Sequence, residues 1–120
     1  MPEIAITIGD PSGIGPEIVC RALASITATE RQAIVVLGRG DVLARANELV
    51  RAGLQFSSHG RNNSVRLIEV DTPKIDTVRD GEASVGGGNA AYGYVTRAVD
   101  LALSGNIRVL VTAPLNKTAM

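Results

Sequence analysis

The chain has 120 residues, the length of one domain, with 45% hydrophobic residues and 13 glycines, which suits a compact α/β domain and not a disordered segment. Lys+Arg and Asp+Glu both number 12, so the formal net charge is zero and no long-range field draws nucleic acid or a membrane surface. One Phe, two Tyr and no Trp leave few stacking platforms for single strands, and a single cysteine excludes an internal disulfide and argues against a cysteine-based metal site.

No apolar run reaches the roughly 18 residues of a membrane span. The N-terminus lacks a basic region followed by an apolar one, so the cytoplasm is the expected compartment.

The first element, Ile4–Ile8, is a β-branched run expected to form a strand with both faces buried, as in a parallel sheet. It leads into Gly9-Asp10-Pro11-Ser12-Gly13-Ile14-Gly15, whose glycines permit φ > 0 and close approach of another molecule. Pro16 suits the first position of the following helix, where its missing N–H costs nothing. The free amides of that helix start favour an anion, phosphate above all. A tight βα connection without a ligand explains such a turn equally well. An acidic residue in Asp10-Pro11, which turning alone does not require, tilts the reading towards function.

From Pro16 to about Ile26, apolar residues at Ile18, Val19, Ala22, Leu23 and Ile26 trace one helix face. Cys20 lies in this pattern as a small core residue. Gln32–Leu37 is a second buried strand, stopped by Gly38 and Gly40. Asp41 can cap a helix with Val42, Leu43, Ala46, Leu49 and Val50 on its apolar face, and Gly53 stands where a C-terminal glycine belongs. Phe56–Asn63, with His59, reads as a polar surface loop.

Val65–Val70 begins in alternation and reads as a third strand. Asp71 to Gly88 is irregular, and loops of that length in a compact domain are commonly functional or mobile. The longest helix is expected from about Asn89 to Leu103, with Val95, Ala98, Val99, Ala102 and Leu103 on one side and Gly105 ending it. Ile107–Val111 is another β-branched strand, leading into Thr112-Ala113-Pro114-Leu115-Asn116-Lys117.

Alternating strands and helices predict a three-layer α/β fold with a mostly parallel sheet. Ligands of such sheets sit beyond the carboxyl ends of the strands. Gly9–Gly15 and Thr112–Lys117 both follow strands and emerge at that edge if the strands are parallel. The chain stops at Met120, where a further helix would just be starting, and this leads to the expectation of a piece of a longer protein.

The run Thr7-Ile8-Gly9-Asp10-Pro11-Ser12-Gly13-Ile14-Gly15-Pro16-Glu17-Ile18 closely resembles the N-terminus of the 4-hydroxythreonine-4-phosphate dehydrogenase family. Gly105-Asn106-Ile107-Arg108-Val109-Leu110-Val111-Thr112-Ala113-Pro114-Leu115-Asn116-Lys117 resembles a second stretch of the same family, in the right order, and Gly93 and the alanines beside it fit as well. The resemblance spans the chain but only the beginning of such proteins. It implies a fold like that of isocitrate and isopropylmalate dehydrogenases, which share a Gly-Ile-Gly-Pro-Glu run. The Gly13–Ile18 stretch departs from the Rossmann turn, because the third glycine is missing.

The resemblance further implies oxidation of a phosphorylated hydroxy amino acid by hydride transfer to NAD or NADP. The β-keto acid then loses carbon dioxide to give 3-amino-2-oxopropyl phosphate, a step of vitamin B6 synthesis. It implies a homodimer and a divalent metal (zinc, magnesium or cobalt) held by histidines from later in the chain. The one histidine here, His59, lies outside both motifs, so this stretch is expected to hold no metal ligand and to lack activity alone.

On the same resemblance, Asp10 and Lys117 are the candidate catalytic residues. Gly9, Gly13, Ile14 and Gly15 are the candidate cofactor-binding turn, and for the glycines a purely backbone role is the alternative. Lys117 either reaches a phosphate or carboxylate or is a solvated lysine at a helix start. Asn116 either caps that helix or binds substrate. Glu17 is read as a first-turn carboxylate favoured by the helix dipole. Two other identities stand beside the first: a paralogous dehydrogenase of threonate or erythronate phosphate, and a non-catalytic phosphate-binding relic.

Overall fold

The computed structural model describes residues 3–61, 63–71 and 85–114. Five strands, β1 (Ile4–Thr7), β2 (Ile34–Gly38), β3 (Phe56–Ser57), β4 (Val65–Glu69) and β5 (Val109–Thr112), form one sheet in the order β3-β4-β2-β1-β5. Every pairing is parallel. β1 is therefore flanked by β2 and β5, with Thr7 in register with Leu37 on one side and Thr112 on the other. The parallel α/β architecture expected from the alternating pattern is what forms.

Helices cover both faces. Odd and even strand residues sort to opposite sides, as the pleat requires. Ile34 and Val36 of β2 and Val65 and Leu67 of β4 pack with α1 (Gly15–Ala24) and α3 (Gly40–Val50). Ala5, Val35 and Leu37 face the other way, onto Ala98 of α4 (Val85–Leu103) and Ile107. β2 is buried along its whole length, as its unbroken apolar run predicts. No helix among the described residues is long and apolar enough to cross a membrane.

Several expectations need correction. α4 begins at Val85, so Gly86, Gly87 and Gly88 are helical and buried, not part of an irregular loop. Its sheet-facing stripe is Ala90, Ala91, Tyr94 and Ala98, while Val99 and Leu103 are exposed. The alanines let the helix lie close on the sheet, while Val99 and Leu103 turn outward. In α1 the buried set is Gly15, Pro16, Val19, Cys20 and Leu23, with Ile18 exposed. In α3, Leu49 is exposed.

Asp41 is not the N-cap of α3, although its Oδ1 accepts the Val42 N–H of the first turn at 2.9 Å. The N-cap is Arg39, and the carboxylate of Glu69 at the end of β4 accepts the Gly40 N–H at 2.6 Å. That acid, distant in sequence, supplies what a local cap normally would. The left-handed residue closing α3 is Arg51 (φ 53°), and Gly53 is left-handed two residues later. Part of the supposed Phe56–Asn63 loop is β3, which pairs with β4 through Phe56 and Ser57. A short helix, α2 (Ala28–Arg31), escaped the sequence pattern although Thr27 and Glu30 form a full capping box. Gly105 (φ 84°) ends α4 as expected, with the Asn106 amide bonding back to the Leu101 carbonyl.

Candidate functional site

Because β1 and β5 are parallel neighbours, the turns that follow them leave the same edge of the sheet, side by side. They pack directly. A side chain at Gly9 (φ 74°) would run into the carbonyl group of Pro114. One at Gly15 would meet the Ile8 carbonyl and approach the Ala113 methyl to 3.2 Å. The Ala113 amide also bonds to the Thr7 carbonyl at 2.9 Å. Gly9 and Gly15 are thus spent on fitting one turn against the other.

Gly13 differs. A side chain there would touch only the Asp10 carbonyl and Cβ, at 3.4 and 4.0 Å, and Gly13 and Ile14 are exposed. The next residue opens α1, which has Pro16 in its first turn and no side-chain cap. Its leading amides therefore lack a side-chain acceptor and suit an anion arriving beside Gly13.

Asp10 is 3% exposed. Its Oδ1 accepts the Ser12 amide at 2.9 Å and the Ser12 hydroxyl at 2.6 Å, and the Gly13 amide bonds to its carbonyl at 2.9 Å. One short side chain thereby fixes the whole bend. Behind it stands Gly87 in the first turn of α4, where a Cβ would lie 3.0 Å from the Asp10 carboxyl carbon. The carboxylate rests against the positive end of that helix. Its Oδ2 is buried with no hydrogen-bond partner among the described residues.

Two more buried polar atoms without partners among the described residues, Thr7 Oγ1 and the Tyr94 hydroxyl, belong to the same region. Thr7 ends β1. Tyr94 lies two helical turns after Gly87 on α4. Burial pushes the Tyr94 phenol well above its ordinary value, opposed by the charge of Arg39 and reinforced by Asp41, Glu69 and Asp10. It therefore stays protonated, a donor without an acceptor among the described residues. Arg39 itself grips Asp41 with two bonds of 3.0 and 3.1 Å. That contact holds the Asp41 carboxyl below its usual range.

Sequence reading missed Gly87, Tyr94, Arg39 and Glu69. The glycine triplet Gly86–Gly88 was the available signal, since such a triplet inside a helix calls for a close neighbour. Lys117 and Asn116 lie outside the described residues; Ala113 and Pro114, which precede them, already abut Gly9. His59 lies between β3 and β4, which places it at the amino ends of the strands, the edge opposite Asp10. No group of three or more metal-ligating side chains occurs among the described residues, so these residues do not fit a metal centre by themselves.

The chain is similar to a protein from Desulforapulum autotrophicum named 4-hydroxythreonine-4-phosphate dehydrogenase, 36% identical across 99% of this chain and 37% of that protein. It is 33% identical to one from Symbiobacterium thermophilum named "Putative D-threonate 4-phosphate dehydrogenase", across 99% of this chain and 38% of that one. A crystal structure of a 4-hydroxythreonine-4-phosphate dehydrogenase from Burkholderia phymatum superposes with a TM-score of 0.84 at 34% identity, again over 99% of this chain and 38% of the other. The chain thus spans well under half the length of these relatives, and its fold is part of the isocitrate dehydrogenase-like α/β fold that they have. The family described as pyridoxal phosphate biosynthetic protein PdxA matches residues 30–120, and the chain belongs to that family.

Proposed function

We propose that these residues form the N-terminal part of an NAD- or NADP-dependent dehydrogenase that oxidises 4-phosphooxy-threonine and releases carbon dioxide to give 3-amino-2-oxopropyl phosphate. The observation that carries this reading is the packing of the Gly9–Gly15 turn against Ala113-Pro114 at the carboxyl edge of a parallel sheet. It gives one rim from two chain-distant turns, beside an uncapped helix start. Dehydrogenase relatives with matching sequence support the reaction class.

In this reading the leading amides of α1, reached past Gly13 and Ile14, receive a phosphate of the substrate or of the dinucleotide. The dinucleotide, when bound, supplies the hydride acceptor. Lys117, following Pro114 along the chain, supplies the cation for a phosphate or carboxylate, and Asn116 a neutral donor. Asp10 acts by holding the turn in shape, and its Oδ2, unpartnered among the described residues, is an acceptor for a substrate or cofactor hydroxyl. The divalent metal expected of the family requires ligands beyond the residues described here, and no step is assigned to it. A homodimer in the cytoplasm completes the proposal.

A second substrate is favoured by a specific finding, the D-threonate 4-phosphate name of a 33%-identical relative. Both substrates carry a phosphate and a secondary alcohol and differ in whether an amino or a hydroxyl group stands beside the carboxylate. Steady-state assays of the protein in its natural full length, with each substrate and each dinucleotide, decide between them. Turnover of 4-phosphooxy-threonine supports the first reading. Turnover of D-threonate 4-phosphate alone replaces it with the second, and no reduction of either dinucleotide overturns both.

A further inference from the structure

At the other edge of the sheet, by the amino ends of β2 and β4, a pocket of about 170 Å³ is lined by Arg31, Gln32, His59, Gly60, Ser64 and Arg66. It lies roughly 15 Å from the Asp10 edge, the length of a five-residue strand. Its volume is many times the ~10–15 Å³ that one water requires.

The wall is built, not incidental. Arg31 closes α2, and its Nη1 donates to the Leu23 carbonyl at 2.8 Å and the Ile26 carbonyl at 2.6 Å, which fixes the guanidinium in place. Arg66 projects from β4. Gly60, left-handed at φ 65°, lies over the Arg66 stem so closely that a Cβ would come within 3.3 Å of the arginine Cβ. The loop carrying His59 is pinned by the Gly60 amide on the Ser57 hydroxyl at 2.9 Å, and by the 2.6 Å contact between the Ser57 and Ser64 hydroxyls. The Ser64 amide adds a bond to the Arg61 carbonyl at 3.0 Å.

Two features of this wall are unbalanced. Both arginines keep a buried Nε with no hydrogen-bond partner among the described residues. Among the described residues no carboxylate lines the pocket. Two guanidinium groups sharing a partly desolvated cleft repel each other, and each carries an unmet donor, so an anion between them would relieve both costs. Donors reach the space from three elements: the end of α2, strand β4 and the His59 loop. That spread suits a tetrahedral oxyanion, whose acceptors point in several directions.

We propose that this pocket is a second anion site, which takes a phosphoryl group. It is separate from the Asp10 edge and does not depend on the function proposed there.

His59 is the one histidine of these 120 residues, and in the full-length protein its imidazole Cε1–H resonance, assigned by its loss in His59→Gln, reports on the pocket. Inorganic phosphate and glycerol 3-phosphate are titrated separately at fixed pH, with sodium chloride holding ionic strength constant. A saturable shift of the His59 signal is expected, weakened about tenfold or more in Arg66→Met. Gln32→Glu places a carboxylate at an exposed lining position, where folding is not at risk, and is expected to weaken binding likewise. Tighter binding of glycerol 3-phosphate identifies an organic phosphate as the ligand; equal binding identifies free phosphate. A His59 signal that does not saturate in the parent protein overturns the proposal. So does a titration of Gln32→Glu that matches the parent.

Discussion

A Cβ on Gly87 would stand 3.0 Å from the carboxyl carbon of Asp10, so the bend after β1 and the first turn of α4 are fitted to each other with no room to spare. Asp10 holds Ser12 on its outer side and leans on the helix start on its inner side. The shape of the turn that follows β1 therefore depends on a helix far along the chain. α4 in turn rests on β1, β2 and β5, which makes the sheet, the helix and the turn one mechanical unit.

Gly87→Ala tests that fit. In an exposed helix, alanine would be favoured over glycine by about 1 kcal/mol. Here overpacking against Asp10 outweighs that gain, and urea unfolding is expected to show a net loss of about 1–2 kcal/mol. Asp10→Ala removes the obstructing carboxyl, so Gly87→Ala should cost less in that background, by at least about 0.5 kcal/mol. Equal costs in the two backgrounds would mean that the two residues are independent.

The glycines of the first turn separate packing from ligand approach. Gly9→Ala forces a left-handed φ on alanine and drives its methyl into Pro114, so a stability loss of about 2 kcal/mol or more is expected from thermal or chemical unfolding. Gly13→Ala has neither problem and should fold within about 0.5 kcal/mol of the parent. If anions approach past Gly13, that same variant should still weaken phosphate-ester or dinucleotide binding several-fold in calorimetry. Unchanged affinity in a normally folded Gly13→Ala would remove Gly13 from the proposed binding edge.

The strands were legible because β-branched runs such as Ile34–Leu37 have few alternatives, and their parallel order followed from the helices between them. The convergence of the two turns could be anticipated from topology alone. What pattern reading missed was set by contacts between distant segments. Glu69 caps α3 from an element distant in sequence, and Gly87 lets the first turn of α4 pass close to Asp10. The faces of α1 and α4 were misjudged for a related reason. Periodicity counts large apolar residues, whereas the buried side of α4 is Ala90, Ala91 and Ala98, together with Tyr94. Lys117 and Asn116 fall outside the described residues.

Tyr94→Phe removes a hydroxyl that is buried among the described residues and bonded to none of them. The phenol pays desolvation with no return, so the variant should be more stable by about 1 kcal/mol, seen as a higher urea midpoint at unchanged slope. A loss of stability would show that the hydroxyl has a partner. In full-length protein, the same variant reports whether the phenol meets a ligand at the Asp10 edge. Weaker substrate or dinucleotide binding alongside a higher midpoint would assign it that task.

Cys20 gives the pH dependence its clearest source. Burial, assisted by the negative charge of Glu17, pushes the thiol up from 9.0 to about 11. Below pH 9 the thiol is neutral in both folded and unfolded chains, and its favourable burial is fully present. Between pH 9 and about 11 the unfolded chain sheds the proton while the folded chain keeps it, so stability falls, by at most about 1.4 kcal/mol per pH unit. Cys20→Ala should cost about 1 kcal/mol at neutral pH through lost packing. It should also flatten the decline between pH 9 and 10, before Tyr94 begins to contribute. Unfolding curves collected across that interval that run parallel for the two proteins would show that the thiol is not the group responsible.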